Sequence, residues 1–116
     1  MLEDCVFCRI IRREIPANIV LETEKVMAFH DINPEAPTHV LLIPKKHIAN
    51  IRDEKLPADP DLTTEIFQAI QKLTSDLGLA EGGFRVVVNC GKNAGEAVHH
   101  LHFHILGGRD LTWPPG

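Results

Sequence analysis

No stretch of the 116-residue sequence approaches the roughly 20 consecutive apolar residues that a membrane-spanning helix needs. Met1 to Asp4 are acidic where a signal peptide would be basic and then apolar. The expectation is a cytoplasmic protein with no membrane partner. Basic runs are missing as well: Arg12-Arg13 and Lys45-Lys46 do not continue, and 12 Lys plus Arg stand against 16 Asp plus Glu, for a formal net charge of -4. That balance argues against a nucleic-acid polymer as partner, because wrapping a phosphate backbone takes many cations. No repeat and no Gly/Ser/Pro-rich linker divides the chain, so one domain over 1–116 is expected. A domain of this length buries about two-thirds of its unfolded surface, which makes neither disulfide nor metal a requirement for folding. Against these absences stands one excess. There are seven histidines, and four fall between His99 and His104.

Cys5 to Arg13 carries Val6, Phe7, Ile10 and Ile11 at the spacing of a short amphipathic helix ending before Pro16. Ile19 to Leu21, Val26 to His30 and His39 to Ile43 read as strands, bounded by turn-forming residues and by Pro44. Leu62, Ile66, Ala69, Ile70, Leu73 and Leu77 line one face of a long helix, with Asp59 as N-cap, Pro60 in its first turn and Gly78 as its stop. Phe84 to Asn89 and His99 to Leu106 are two further strand-like runs. Five strands and two helices predict an α+β domain. Short connections and a single long crossover favour an antiparallel sheet with its helices on one side.

His100-Leu101-His102-Phe103-His104-Ile105-Leu106 alternates imidazole with hydrocarbon at period two, which on a strand turns three imidazoles to one face. Solvated strand faces usually use Thr, Lys, Glu and Ser, so this pattern points to chemistry. Two readings follow. The imidazoles bind a metal that keeps an open position for water, or one imidazole is a nucleophile that its neighbours assist. Upstream, Asn89 ends a strand, and Gly91 and Gly95 bracket a turn whose successive N–H groups would make an anion nest. A nest suits phosphate better than a bare metal.

The three histidines separated by single apolar residues form a histidine triad motif. Phe7 to Pro16, Phe29 to Lys46 and Gly91 to the end, including Gly107-Gly108-Arg109 and the terminal Trp113-Pro114-Pro115-Gly116, resemble the nucleotide-binding branch of the histidine triad (HIT) family, and the resemblance spans nearly the whole chain. It implies a HIT-like fold, a five-stranded antiparallel sheet with one long and one short helix, and a homodimer that joins two such sheets and brings Trp113 near the partner's active site. The activity it implies is hydrolysis of purine nucleoside 5'-phosphoramidates, releasing AMP or GMP through a nucleotidyl-histidine, with no cofactor required for catalysis. In that scheme His102 is the nucleophile, and His104 and His39 stabilise the phosphate. Asn89 and the backbone of Gly95, Glu96 and Ala97 bind the phosphate, Asp31 binds the ribose, and Phe7, Ile10, Phe29 and Ile32 form an apolar slot for the base. The alternatives are a dinucleoside polyphosphate hydrolase, a nucleotide-binding regulatory module with weak activity, and a zinc hydrolase.

Cys5-Val6-Phe7-Cys8 is a Cys-x-x-Cys pair, weak evidence for a metal by itself. The resemblance completes it: in several bacterial-type relatives this pair, with residues matching His47 and His100, forms a structural Cys2His2 zinc site. Cys90 has no partner in that scheme, and His30 and His99 have no assigned role. The family often carries Gln-Ser where this chain has Glu96-Ala97, so a hydroxyl at the phosphate is missing, and a carboxylate beside a phosphate repels it unless paired. Restoring the hydroxyl with Ala97→Ser is expected to raise turnover, and unchanged turnover would count against a role for that position.

Overall fold

Val26–His30 and Thr38–Pro44 are apolar at nearly every position, and strands of that composition need cover on both faces. In the computed structural model, which describes residues 4–116, they are the strands β2 and β3 at the middle of the fold. The order along the chain is α1 (Val6–Ile11), β1 (Ile19–Glu22), β2, β3, α2 (Pro60–Asp76), β4 (Phe84–Val87) and β5 (Phe103–Gly107), with a 3-10 turn at Lys92–Ala94. The sheet runs β1-β2-β3-β5-β4 and every neighbouring pair is antiparallel. Because β3 and β4 both oppose β5, they run in the same direction, and α2 is the crossover between them.

Helix α2 forms as its sequence pattern predicts. The Asp59 carboxylate accepts the Leu62 N–H at 3.1 Å, Pro60 occupies the first turn, and Gly78 follows the helix at φ +72°, which a side chain would strain. Leu62, Ile66, Ala69, Ile70 and Leu73 pack on Val26, Ala28, Val40, Leu42, Phe103 and Ile105 from one face of the sheet. Helix α1 covers the opposite face, where Phe7 and Ile10 join Met27, Phe29, Leu41 and Ile43. The expectation of helices on one side is therefore corrected. The same alternation that sends Val40 and Leu42 to α2 sends Leu41 and Ile43 the other way, and α1 shields them.

Strand β5 is shorter than the His99 to Leu106 run suggests. Regular pairing begins where Leu42 meets Phe103. Continued by two residues, that register sets Leu101 opposite Pro44, which has no amide hydrogen to donate. The Leu101 N–H turns instead to the Ile48 carbonyl at 2.6 Å, and the Pro44 carbonyl accepts from the His100 ring at 2.8 Å. Side-chain bonding thus replaces the ladder over His100 to His102. Strand β4 likewise stops at Val87, before Asn89. Leu42 is wholly buried at the centre of the sheet, so Leu42→Ala is expected to cost about 2–5 kcal/mol in chemical denaturation. A loss below about 1 kcal/mol would mean the core is centred elsewhere.

Candidate active site

Although only His104 lies within the regular part of β5, the period-two alternation continues upstream of it. Leu101, Phe103 and Ile105 are buried against α2, while the three imidazoles lie on the α1 side. Phe7 of α1 sets its ring edge-on against His100 and His102 at centroid distances of 5.8 and 5.2 Å, and His102 and His104 are 5.0 Å apart. His39, on β3, reaches the same face beside His104, with ring centroids 5.2 Å apart.

Main-chain partners assign the ring protons. Nδ1 of His102 lies 2.8 Å from the His100 carbonyl oxygen, so it carries the proton and leaves Nε2 with a free lone pair. On His39, Nδ1 accepts the Glu35 N–H at 3.0 Å, so its proton is on Nε2. That Nε2–H donates to Nδ1 of His104 at 2.9 Å, which puts the His104 proton on its own Nε2. Asp31 adds a carboxylate oxygen 3.4 Å from Nε2 of His39, while its other oxygen accepts the Asn33 N–H at 2.8 Å. A ring nitrogen with a free lone pair therefore neighbours a ring that carries an N–H donor. Burial, above all, pushes His104 down to about 4, so it is neutral at pH 7.

The second cluster is committed differently. The ligand atoms of Cys5, Cys8, His47 and His100 all lie within 4.8 Å of one another. Nδ1 of His100 is 3.2 Å from the Cys5 sulfur and 3.5 Å from that of Cys8, and Nδ1 of His47 is 3.2 Å from the Cys8 sulfur. Since Nε2 of His100 donates to the Pro44 carbonyl, its Nδ1 lone pair faces the thiols. Burial pushes His100 down to about 4 and the Cys8 thiol up to about 11, and a bound cation would turn that thiol into a thiolate. Two sulfurs and two ring nitrogens converging in this way fit a tetrahedral zinc site. Asp31, His39 and His104 also converge within 4.8 Å, but the Nε2 of His39 that faces the group carries a proton and has no lone pair for a metal.

The remaining candidates fall into three groups. Asn89 lies two residues beyond the last β4–β5 pair, Val87 with His104, and so outside the ladder. The expected nest at Gly91 and Gly95 is closed by its own hydrogen bonds. The Gly95 N–H donates to the Lys92 carbonyl, that of Glu96 to the Gly91 carbonyl, and that of Gly91 to the Glu96 carboxylate at 2.7 Å. Among the described residues the Ala97 N–H has no partner. Phe7, Ile10 and Phe29 are buried and pack on one another instead of lining an open slot, and Ile32 stands apart, 91% exposed. Trp113 is exposed on a C-terminal segment that Arg85 ties to β4 through the Leu111 and Thr112 carbonyls.

Two features were not foreseen from sequence. One is the link from Asp31 to His39, with His39 behind His104 and both of its ring nitrogens occupied, where a direct phosphate contact was expected. Only the tertiary register joins these residues, and no local signal marks them. The other is the Glu96 carboxylate, paired with His99 at 2.7 Å and held below the usual carboxylate range by the Gly91 N–H and then by His99. The repulsion expected of an unpaired Glu96 is thereby reduced, and His99, to which no role was assigned, is its partner.

The HIT domain model matches residues 12–111. The chain belongs to the HIT family. It is 42% identical over 111 residues to the purine nucleoside phosphoramidase of Escherichia coli K12, covering 96% of this chain and 92% of that protein. An uncharacterised HIT-like protein of Synechocystis is 48% identical over the full length of both. Among solved structures, a HIT family hydrolase from Legionella pneumophila Philadelphia 1 superposes with a TM-score of 0.91 at 48% identity, covering 97% of this chain and all of that one.

Within this HIT domain, the assignment of His104 has a consequence for stability. The unfolded side chain takes up a proton near pH 6.5 and the folded one only near 4. Stability from this residue is then complete above about pH 6.5 and is lost as pH falls toward 4. Thermal melts across that window are expected to fall more steeply for the wild type than for His104→Asn, and equal slopes would contradict the assignment.

Proposed function

We propose that this HIT-family protein is a hydrolase that cleaves the P–N bond of purine nucleoside 5'-phosphoramidates. The observation that carries the reading is the Nε2 lone pair of His102 beside the donor ring of His104. His102 attacks the α-phosphorus, the P–N bond breaks, and the amine leaves with a proton taken from solvent, which the water of the second step returns. Water then hydrolyses the nucleotidyl-His102 to give the nucleoside monophosphate and the free imidazole. The His104 N–H stabilises charge developing on the phosphoryl oxygens, and His39 with Asp31 holds its tautomer. Asn89 and the Ala97 N–H supply further neutral donors to the phosphate. Asp31 remains the candidate for the ribose hydroxyls, and the exposed Ile32 next to it in sequence is the candidate apolar contact for the base. The 42% identity to a protein named purine nucleoside phosphoramidase supports this substrate class.

Zinc at Cys5, Cys8, His47 and His100 would tie α1 to the sheet and supply no Lewis acid to the substrate. A homodimer is part of the proposal. Strand β4 is an edge strand with Phe84 and Val86 about 40% exposed, which suits pairing with a second copy. Mass spectrometry of protein quenched during turnover of adenosine phosphoramidate should find an AMP adduct on His102, and His102→Ala should lower turnover by on the order of 10⁴-fold or more. Faster turnover of diadenosine tetraphosphate than of the phosphoramidate, or hydrolysis surviving in His102→Ala, would overturn the reading.

A further inference from the structure

His100 belongs to both clusters. Its ring nitrogen Nδ1 faces the two thiols, and its own carbonyl oxygen accepts the Nδ1–H of His102 at 2.8 Å. We infer that the Cys5, Cys8, His47 and His100 set is a positioning device for the nucleophile: a metal bound there holds the His100 main chain, and through it fixes which nitrogen of His102 is free to attack. This goes beyond a structural tie and rests on His102 being the nucleophile.

Three observations support the coupling. The β3–β5 ladder begins only at Phe103, so the carbonyl that orients His102 lies outside regular pairing. Among the described residues, the backbone from Ala97 to His102 is held by one main-chain bond, from the Leu101 N–H to the Ile48 carbonyl, and the other anchor is the His100 side chain on the Pro44 carbonyl. A metal on Nδ1 would grip the opposite side of that ring. The second route runs through α1. Phe7 lies between the two cysteines in sequence, and its ring packs edge-on against both His100 and His102. Holding Cys5 and Cys8 therefore also holds the wall beside the nucleophile.

Without a cation, the thiols meet the imidazoles only as weak S–H donors. Pro44 is then the only strong hydrogen-bond partner of the His100 ring, the His100 carbonyl has room to tilt, and His102 samples both neutral tautomers. One of those carries its proton on Nε2 and cannot attack. No bond between metal and substrate enters this account. His100 acts through His102 and is a positioning residue.

The experiment uses the full-length protein with ¹⁵N-labelled histidine at one fixed pH, free of nucleotide. Co²⁺ added to the metal-free protein should give the intense visible absorption of a tetrahedral two-thiolate site, which reports occupancy independently of activity. With Zn²⁺ bound, the two ring nitrogens of His102 should resonate separately, as one tautomer protonated on Nδ1. Chelation, or Cys5→Ser with Cys8→Ser, should draw them toward an averaged position. Added Zn²⁺ should restore the wild type and leave the double variant unchanged. Adduct formation on His102 should slow about tenfold in the metal-free protein. Absence of an adduct in both forms would sink the proposed reaction while leaving the tautomer result to be read. Identical His102 spectra with and without Zn²⁺, or no two-thiolate Co²⁺ spectrum, would overturn the coupling. Unfolding of the chelated wild type would also overturn it, since the metal would then be a requirement of the fold alone.

Discussion

An imidazole has two nitrogens and, when neutral, one proton, so tying one nitrogen to the main chain decides the chemistry of the other. This constraint organises the whole site. The Pro44 carbonyl takes the His100 proton and leaves a lone pair toward two thiols. The His100 carbonyl takes the His102 proton and leaves a lone pair free on Nε2. The Glu35 amide fills one nitrogen of His39 and so makes its other nitrogen a donor to His104. Four imidazoles on one face are thereby divided into one whose lone pair faces the thiols, one with a free lone pair, a donor and the support of that donor.

The fold makes these main-chain groups available. A sheet buried on both faces is rigid, and its third strand ends at a proline whose carbonyl is free for a side chain. If β5 continued its ladder through His100 and His102, the His100 carbonyl would face a ladder partner instead of the His102 ring. The break in regular pairing is thus what allows side chains to be oriented by backbone. Strand β4 and the loop after it complete the surroundings, with Val87 paired to His104 and Glu96 closing its own loop. The net charge of -4 does not oppose a mononucleotide here, because the proposed donors are imidazole, amide and main-chain N–H groups, none counted among Lys and Arg.

Much of this was legible in the residues. The alternation from His100 to Ile105, the cap at Asp59 and the stop at Gly78 are local signals, and each has its expected outcome. Helix α1 was legible as a helix but not as to the face it covers, since Phe7 and Ile10 look equally suited to either side. The phosphate nest at Gly91 and Gly95 was plausible from turn chemistry, yet the carbonyls of Gly91 and Lys92 and the Glu96 carboxylate use those amides first. His39 illustrates the same limit. Its motif neighbourhood suggested contact with phosphate, and only the register between β3 and β5 sets it behind His104.

By itself, the sequence determined which residue types recur at which spacing: a strand with imidazoles on one face, a Cys-x-x-Cys pair, a capped long helix and an acidic surface with no basic track. These follow from backbone periodicity and short-range hydrogen bonding, which need no knowledge of distant neighbours. The tertiary structure decided which nitrogen of each histidine bears a proton, which amides are already used, and that His100 serves two clusters at once. Those properties depend on carbonyls, amides and sulfurs from residues up to 95 positions apart in the chain, and only the folded packing brings them within hydrogen-bond reach.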